Sequence, residues 1–117
     1  MQIGEFARRA GITPSTVRYY EERSMFSPGQ IVRGANGYRR FTEEALRRVE
    51  LVLAGRAVGF SLDDMRTRMG RWDEMADPER RQILEEQLRV LDERLAELSR
   101  RRQTVVNTLA VLDSRGS

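Results

Sequence analysis

With 117 residues, 39% hydrophobic and 33% charged, the chain has room for one small domain plus one long helix, in the balance of a soluble, helix-rich protein. Cysteine and histidine are both absent, which removes thiol nucleophiles, Cys/His metal cages, iron–sulfur ligation and Ser-His-Asp catalysis. The net charge of +3 is unevenly spread: residues 1–72 carry thirteen arginines against eight acids, and residues 73–117 carry eight against ten.

The basic surplus therefore lies in the N-terminal part, as expected of a module that faces phosphates. Every basic side chain is arginine, which offers bidentate contacts that lysine cannot make. No loop has the alternating acidic spacing of a carboxylate metal site, so no cofactor is expected. No apolar run approaches the roughly 20 residues that span a bilayer, and no signal pattern opens the chain. A cytoplasmic location is the expectation.

Helical spacing begins with Ile3, Phe6, Ala7 and Ala10, and Gly11 is a natural stop. Thr13 then caps a second helix that has Pro14 at its first position and runs to about Arg23. Two short helices joined by a tight turn predict a helix-turn-helix. From Ser24 to Phe41 the helical period is lost. Pro28, Gly29 and Gly34 mark turns, and Asn36-Gly37 is a strong hairpin signal between candidate strands Ile31–Arg33 and Tyr38–Phe41. This segment reads as a β-hairpin wing.

Thr42 caps a third helix whose buried face is Leu46, Val49, Val52 and Leu53, and Gly59 stops it. Ser61 caps a fourth, with Asp64 as its capping-box partner, an inner stripe of Leu62, Met65 and Met69, and Gly70 at its end. A charged link follows, carrying the sole tryptophan, Trp72. Asp77 caps and Pro78 starts a final helix that runs to about Asp113, roughly 50 Å long. Its apolar seam is Leu84, Leu88, Leu91, Leu95, Leu98, Val105, Leu109 and Leu112, broken only by Arg102. Steps alternating four and three predict a coiled coil. So narrow a stripe needs a partner helix, and the simplest partner is a second copy of the chain.

The fold expectation is a mainly α protein: an N-terminal winged helix-turn-helix domain (1–70), a linker (71–77), a coiled-coil dimerisation helix (78–113) and a short tail (114–117). In the second helix Ser15, Thr16, Arg18 and Tyr19 are placed to meet DNA, whereas Val17 anchors the helix and Tyr20 packs inward. On the wing, Arg33, Tyr38 and one of Arg39 and Arg40 face the backbone. Strand alternation sends those two arginines to opposite faces, and Arg39 is preferred.

The stretches IGEFARRAGITPSTVRYYEER, NGYRRFTEEALRRV and RAVGFSL, in this order, resemble the DNA-binding domain of the MerR family of transcription regulators. The leucine-rich helix is similar to that family's dimerisation helix. The resemblance implies a homodimer joined by an antiparallel coiled coil on a palindromic promoter element. It also implies DNA contacts from Arg18, Tyr19, Tyr38 and Arg39, and a second wing at Gly59-Phe60-Ser61, where Arg56 and the next helix N-terminus meet phosphate. The implied mechanism bends and untwists a promoter spacer for RNA polymerase. Two positions depart from the family pattern: Ser24 stands where glycine is usual, and the Met25–Asn36 connection is longer.

Metal- and redox-sensing relatives use cysteines, so those signals are excluded here. Drug-sensing relatives carry an extra C-terminal domain, and only about four residues follow the predicted helix. A small organic effector, a partner protein or no ligand remain. Met65, Met69, Trp72 and Met75 form a candidate effector pocket, with ordinary packing as the alternative. Rival readings are an adaptor that docks a partner through the coiled coil and an architectural recombination factor. No nucleophile–base pair supports an enzyme.

Overall fold

The computed structural model describes residues 1–116, which divide into two compact units, Met1–Asp73 and the segment from Glu74 onward. The first unit holds α1 (Ile3–Ala10), α2 (Pro14–Glu22), β1 (Ile31–Arg33), β2 (Arg39–Phe41), α3 (Glu43–Ala57) and α4 (Leu62–Thr67). The second is dominated by α5 (Asp77–Arg115), preceded by a 3₁₀ turn at Trp72–Glu74. No described helix is long and apolar enough to cross a membrane.

The starts of α2, α3 and α4 follow their capping residues. Thr13 accepts from the Thr16 N–H, Thr42 from the Ala45 N–H, and Ser61 and Asp64 form a reciprocal capping box. Helix ends share one device. The N–H of Ile12 bonds Ala7 O, Met25 bonds Tyr20 O and Phe60 bonds Gly55 O, each behind a residue with positive φ. Those residues are Gly11 (74°), Ser24 (60°) and Gly59 (96°). This is the Schellman closure, which satisfies the last carbonyls of a helix by turning the chain left-handed.

Phe6 packs against Phe41 with ring centroids 4.6 Å apart, and Phe26 completes the cluster that fastens the wing base to α1. Val17, Val49, Val52, Phe60 and Met65 fill the rest of the interior, each at most 2% exposed. Leu53, expected on the buried face of α3, is only half-buried, and its place is taken by Ala45, Arg48 and Gly55. Gly55 lets α4 approach closely, since a Cβ there would overlap the Met65 sulfur.

Several boundaries differ from expectation. α2 ends at Glu22. α4 stops at Thr67, short of Gly70, because the chain turns through Met69 N–H to Asp64 O. α5 begins one residue early, with Ala76 at the N-cap position; Asp77 lies inside the first turn and pairs with Arg80 at 3.0 Å. The helix also reaches Arg115, so most of the expected tail is helical, and Ser117 lies outside the described residues.

Candidate nucleic-acid interface

Burial of Val17 and Tyr20 fixes how α2 is turned. With those residues inward, the helical period sends Ser15, Arg18 and Tyr19 outward. Tyr19 is 42% exposed against 8% for Tyr20. The Arg23 guanidinium lies 4.9 Å above the Tyr19 ring, a cation–π contact that holds the ring. Thr16 behaves differently from its neighbour Ser15. It is half-buried, and its hydroxyl lies 2.9 Å from that of Thr13, inside the cap.

The wing is an antiparallel pair with Ile31 opposite Phe41, Val32 opposite Arg40 and Arg33 opposite Arg39. Its tip is a three-residue loop, Ala35-Asn36-Gly37, closed by Gly34 N–H to Tyr38 O at 2.8 Å and Gly37 N–H to Gly34 O at 3.0 Å. Asn36-Gly37 is thus not a two-residue turn: only Gly37 has positive φ (80°), as a loop ending in a bulge requires. The Asn36 side chain accepts from the Tyr38 N–H, and Tyr38 stands 66% exposed.

Alternation puts Arg33 and Arg39 on the face shared with buried Phe41, and Arg40 on the other. On its own face Arg39 forms an ion pair with Glu21 of α2, so its charge is already matched and it ties wing to helix. Arg40 is exposed and has no carboxylate partner among the described residues; the same is true of Arg33 and Arg18. Of the two arginines, Arg39, expected to grip phosphate, is thus the one paired within the fold, because Glu21 lies across from it, and Arg40 is the unpaired one.

At the turn after α3, Arg56 donates to Phe60 O at 2.9 Å and remains on the surface. The adjoining helix N-terminus, expected to meet phosphate, is itself capped and acidic. Its capping box already bonds the Ser61 and Asp64 N–H groups, and Asp63 and Asp64 bring two carboxylates into the first turn. Negative charge there opposes a phosphate.

The methionines of the candidate effector pocket also separate. Met65 and Met69 are core residues, 0% and 2% exposed, so neither lines an open pocket. Trp72 belongs to the first unit and Met75 to the second, each half-buried.

The residue that sequence reasoning missed is Arg48. It is 9% exposed, and its guanidinium donates to Met25 O (2.9 Å), Met65 O (2.8 Å) and Met69 O (3.1 Å). Burial pushes its pKa below the usual arginine value, an effect opposed by the charge of Asp73. One signal was available: position 48 falls between Ala45 and Val52 at helical spacing, on the apolar face.

In the second unit Ile83 is the buried residue of α5. Leu84, Leu88, Leu95, Leu98, Val105, Leu109 and Leu112 are 48–65% exposed, and Leu91 is half-buried. Such a row of exposed leucines marks an interaction surface.

Comparison with known proteins bears on both units. Residues 1–71 match the family described as MerR HTH family regulatory protein, and residues 46–108 match MerR, DNA binding. An uncharacterized HTH-type transcriptional regulator of Pseudomonas aeruginosa is 33% identical over 107 residues, covering 90% of this chain and 80% of its own. The HTH-type transcriptional regulator ZntR of Escherichia coli K12 is 36% identical over 103 residues, covering 83% and 70%. Among solved structures, HiNmlR, a MerR family regulator lacking the sensor domain and bound to promoter DNA, is similar with a TM-score of 0.64 and 28% identity. That similarity covers 86% of this chain and 76% of the other.

Proposed function

The chain belongs to the MerR family of helix-turn-helix regulatory proteins, and on that premise we propose that it acts as a homodimer on a palindromic promoter element and distorts the spacer for RNA polymerase. As a member it is a DNA-binding transcription regulator and not an enzyme. The observation that carries the reading is the set of exposed groups on α2 and the wing: Ser15, Arg18, Tyr19, Arg33, Tyr38 and Arg40. Three of them are arginines without carboxylate partners, so no internal ion pair must break for them to meet phosphate.

In this reading Ser15 and Arg18 address base edges in the major groove, with Thr16 setting the helix entry and Tyr19 reaching a phosphate through its hydroxyl. Arg33, Tyr38 and Arg40 follow the backbone from the wing, Arg39 positions the wing through Glu21, and Arg56 contacts phosphate from its side-chain edge. Distorting the spacer costs on the order of 1–6 kcal/mol, which backbone clamps at the two ends of the site would supply. A small organic effector would then act by favouring the distorted complex, since a ligand shifts an equilibrium only through differential affinity.

Footprinting on the DNA upstream of its own gene tests this. The expected pattern is a palindromic protected site with a distorted centre, bound more weakly as salt rises. Replacing Arg40 by alanine should flatten the log affinity–log salt slope by about 1, whereas replacing Arg18 should cost about 1–3 kcal/mol of affinity and relax the sequence preference. Sequence-independent or absent binding at low salt would overturn the proposal.

A further inference from the structure

The seam of α5 is self-complementary about one residue. Heptad positions a and d alternate along it, with Leu88, Leu95, Arg102 and Leu109 as one set and Leu84, Leu91, Leu98, Val105 and Leu112 as the other. In a parallel pair each position meets its own copy, which would bring the two Arg102 guanidinium groups together inside the seam. In an antiparallel pair members of the first set face members of the second, and Arg102 faces a leucine.

We propose that the two-fold axis of the dimer passes at Arg100, and that Arg102, packed against Leu98 of the partner subunit, fixes the orientation and register of the coiled coil. The inference rests on the homodimer reading above. Reflection about Arg100 sets Leu98 against Arg102, Leu95 against Val105, Leu91 against Leu109 and Leu88 against Leu112. Every apolar seam residue but Leu84 then has an apolar surface opposite. Leu84 is also the least exposed of the exposed seam leucines and sits beside buried Ile83.

A shift of one heptad toward the N-terminus strands Leu112 instead, and it sets Arg94 beside Arg101 of the partner subunit on both flanks. A shift the other way leaves out Leu84, Leu88 and Leu91. In the Arg100 register two like-charged arginines meet once, at the axis, as Arg101 with its own copy. Each of those pairs with Glu97 of its own helix at 3.0 Å, a carboxylate shared with Arg100 at 2.7 Å, and is exposed to screening solvent. Glu85 and Asp113 come near one another at the outer ends, where solvent screens them. Arginine suits the Leu98 layer because its methylene stem covers leucine while the guanidinium reaches water.

The absence of cysteine makes the test direct. Spin labels are placed on E93C, R100C and N107C, all exposed and on the outer face of the helix. Label-to-label distances are then measured in the full-length dimer, with sedimentation as a separate arm. The Arg100 register expects the shortest distance at 100 and equal, longer ones at 93 and 107, each with roughly 21 Å of axial separation.

Equal distances at all three sites mean a parallel pair, and unequal values at 93 and 107 mean another register; either result overturns the inference while the homodimer stands. A monomer at micromolar concentration overturns the homodimer reading itself. In R102L the dimer is expected to dissociate less readily and to show a second distance population at 93 and 107. A single unchanged population would overturn the role of Arg102.

Discussion

Ser24 occupies the left-handed position that closes α2, the place held by glycine after α1 and α3. Its Cβ crowds the backbone there, and αL geometry costs an ordinary residue roughly 1 kcal/mol or more. Ser24→Gly should therefore raise stability by about 0.5–1 kcal/mol, after the greater freedom of glycine in the unfolded chain is set against the relief. Chemical denaturation with an unchanged m-value checks it, and a loss of stability would show that the serine is not strained.

Arg48 presents the opposite case, a charge that the fold needs. Hydrogen bonds from a charged donor contribute roughly 1.5–3 kcal/mol each, and they are not additive. Arg48→Met would fill similar space but leave three interior carbonyls without their donor. A destabilisation of about 3 kcal/mol or more is expected, read as a lower denaturation midpoint. Arg48→Lys should fall between, because one ammonium cannot span three divergent acceptors.

Among elements, α1 is fastened to α3 by Arg9, which donates to both oxygens of Glu43 at 2.6 and 3.2 Å. That contact holds the Glu43 carboxyl below its ordinary 4.5 and raises Arg9, the hydrogen bond being the larger cause in each case. A carboxylate with a depressed folded pKa contributes its stabilisation above the unfolded value and loses it as pH falls through the folded one. An NMR titration should place the Glu43 midpoint below 4.5 and return it to the ordinary value in Arg9→Gln. An unmoved midpoint would mean that the pair does not persist in solution.

Element starts were legible because a cap and its helix lie within four residues. The capping box of Ser61 and Asp64 and the N-cap of Thr42 were readable for that reason. The wing was legible as a hairpin, but its turn fell one residue away from a simple Asn-Gly loop, because a bulge at Gly37 satisfies the same sequence signal. The acidity at the anion site expected before α4 follows from local sequence: Asp64, which caps the helix, and its neighbour Asp63 both bring carboxylates to its N-terminus.

At the scale of the whole molecule, a compact basic unit precedes a helix whose seam leucines are mostly exposed. If a second copy covers them, folding of α5 and association are linked. The melting temperature should then rise with protein concentration over about 1–100 µM. A transition independent of concentration in circular dichroism would argue that the exposed seam has another occupant.

Helix punctuation, the hairpin, the charge asymmetry and the heptad seam are properties of near neighbours or of a simple repeat, and the residues alone determined them. What the tertiary structure decided was the fate of individual side chains. Arg48 became a buried hub because carbonyls 17 to 23 positions away converge on it. Arg39 became a tether because Glu21 lies across from it, and Met65 and Met69 became core. A charge or a thioether has the same local propensity whether it ends in solvent or inside. Only contacts between distant segments set the desolvation and pairing that separate the two.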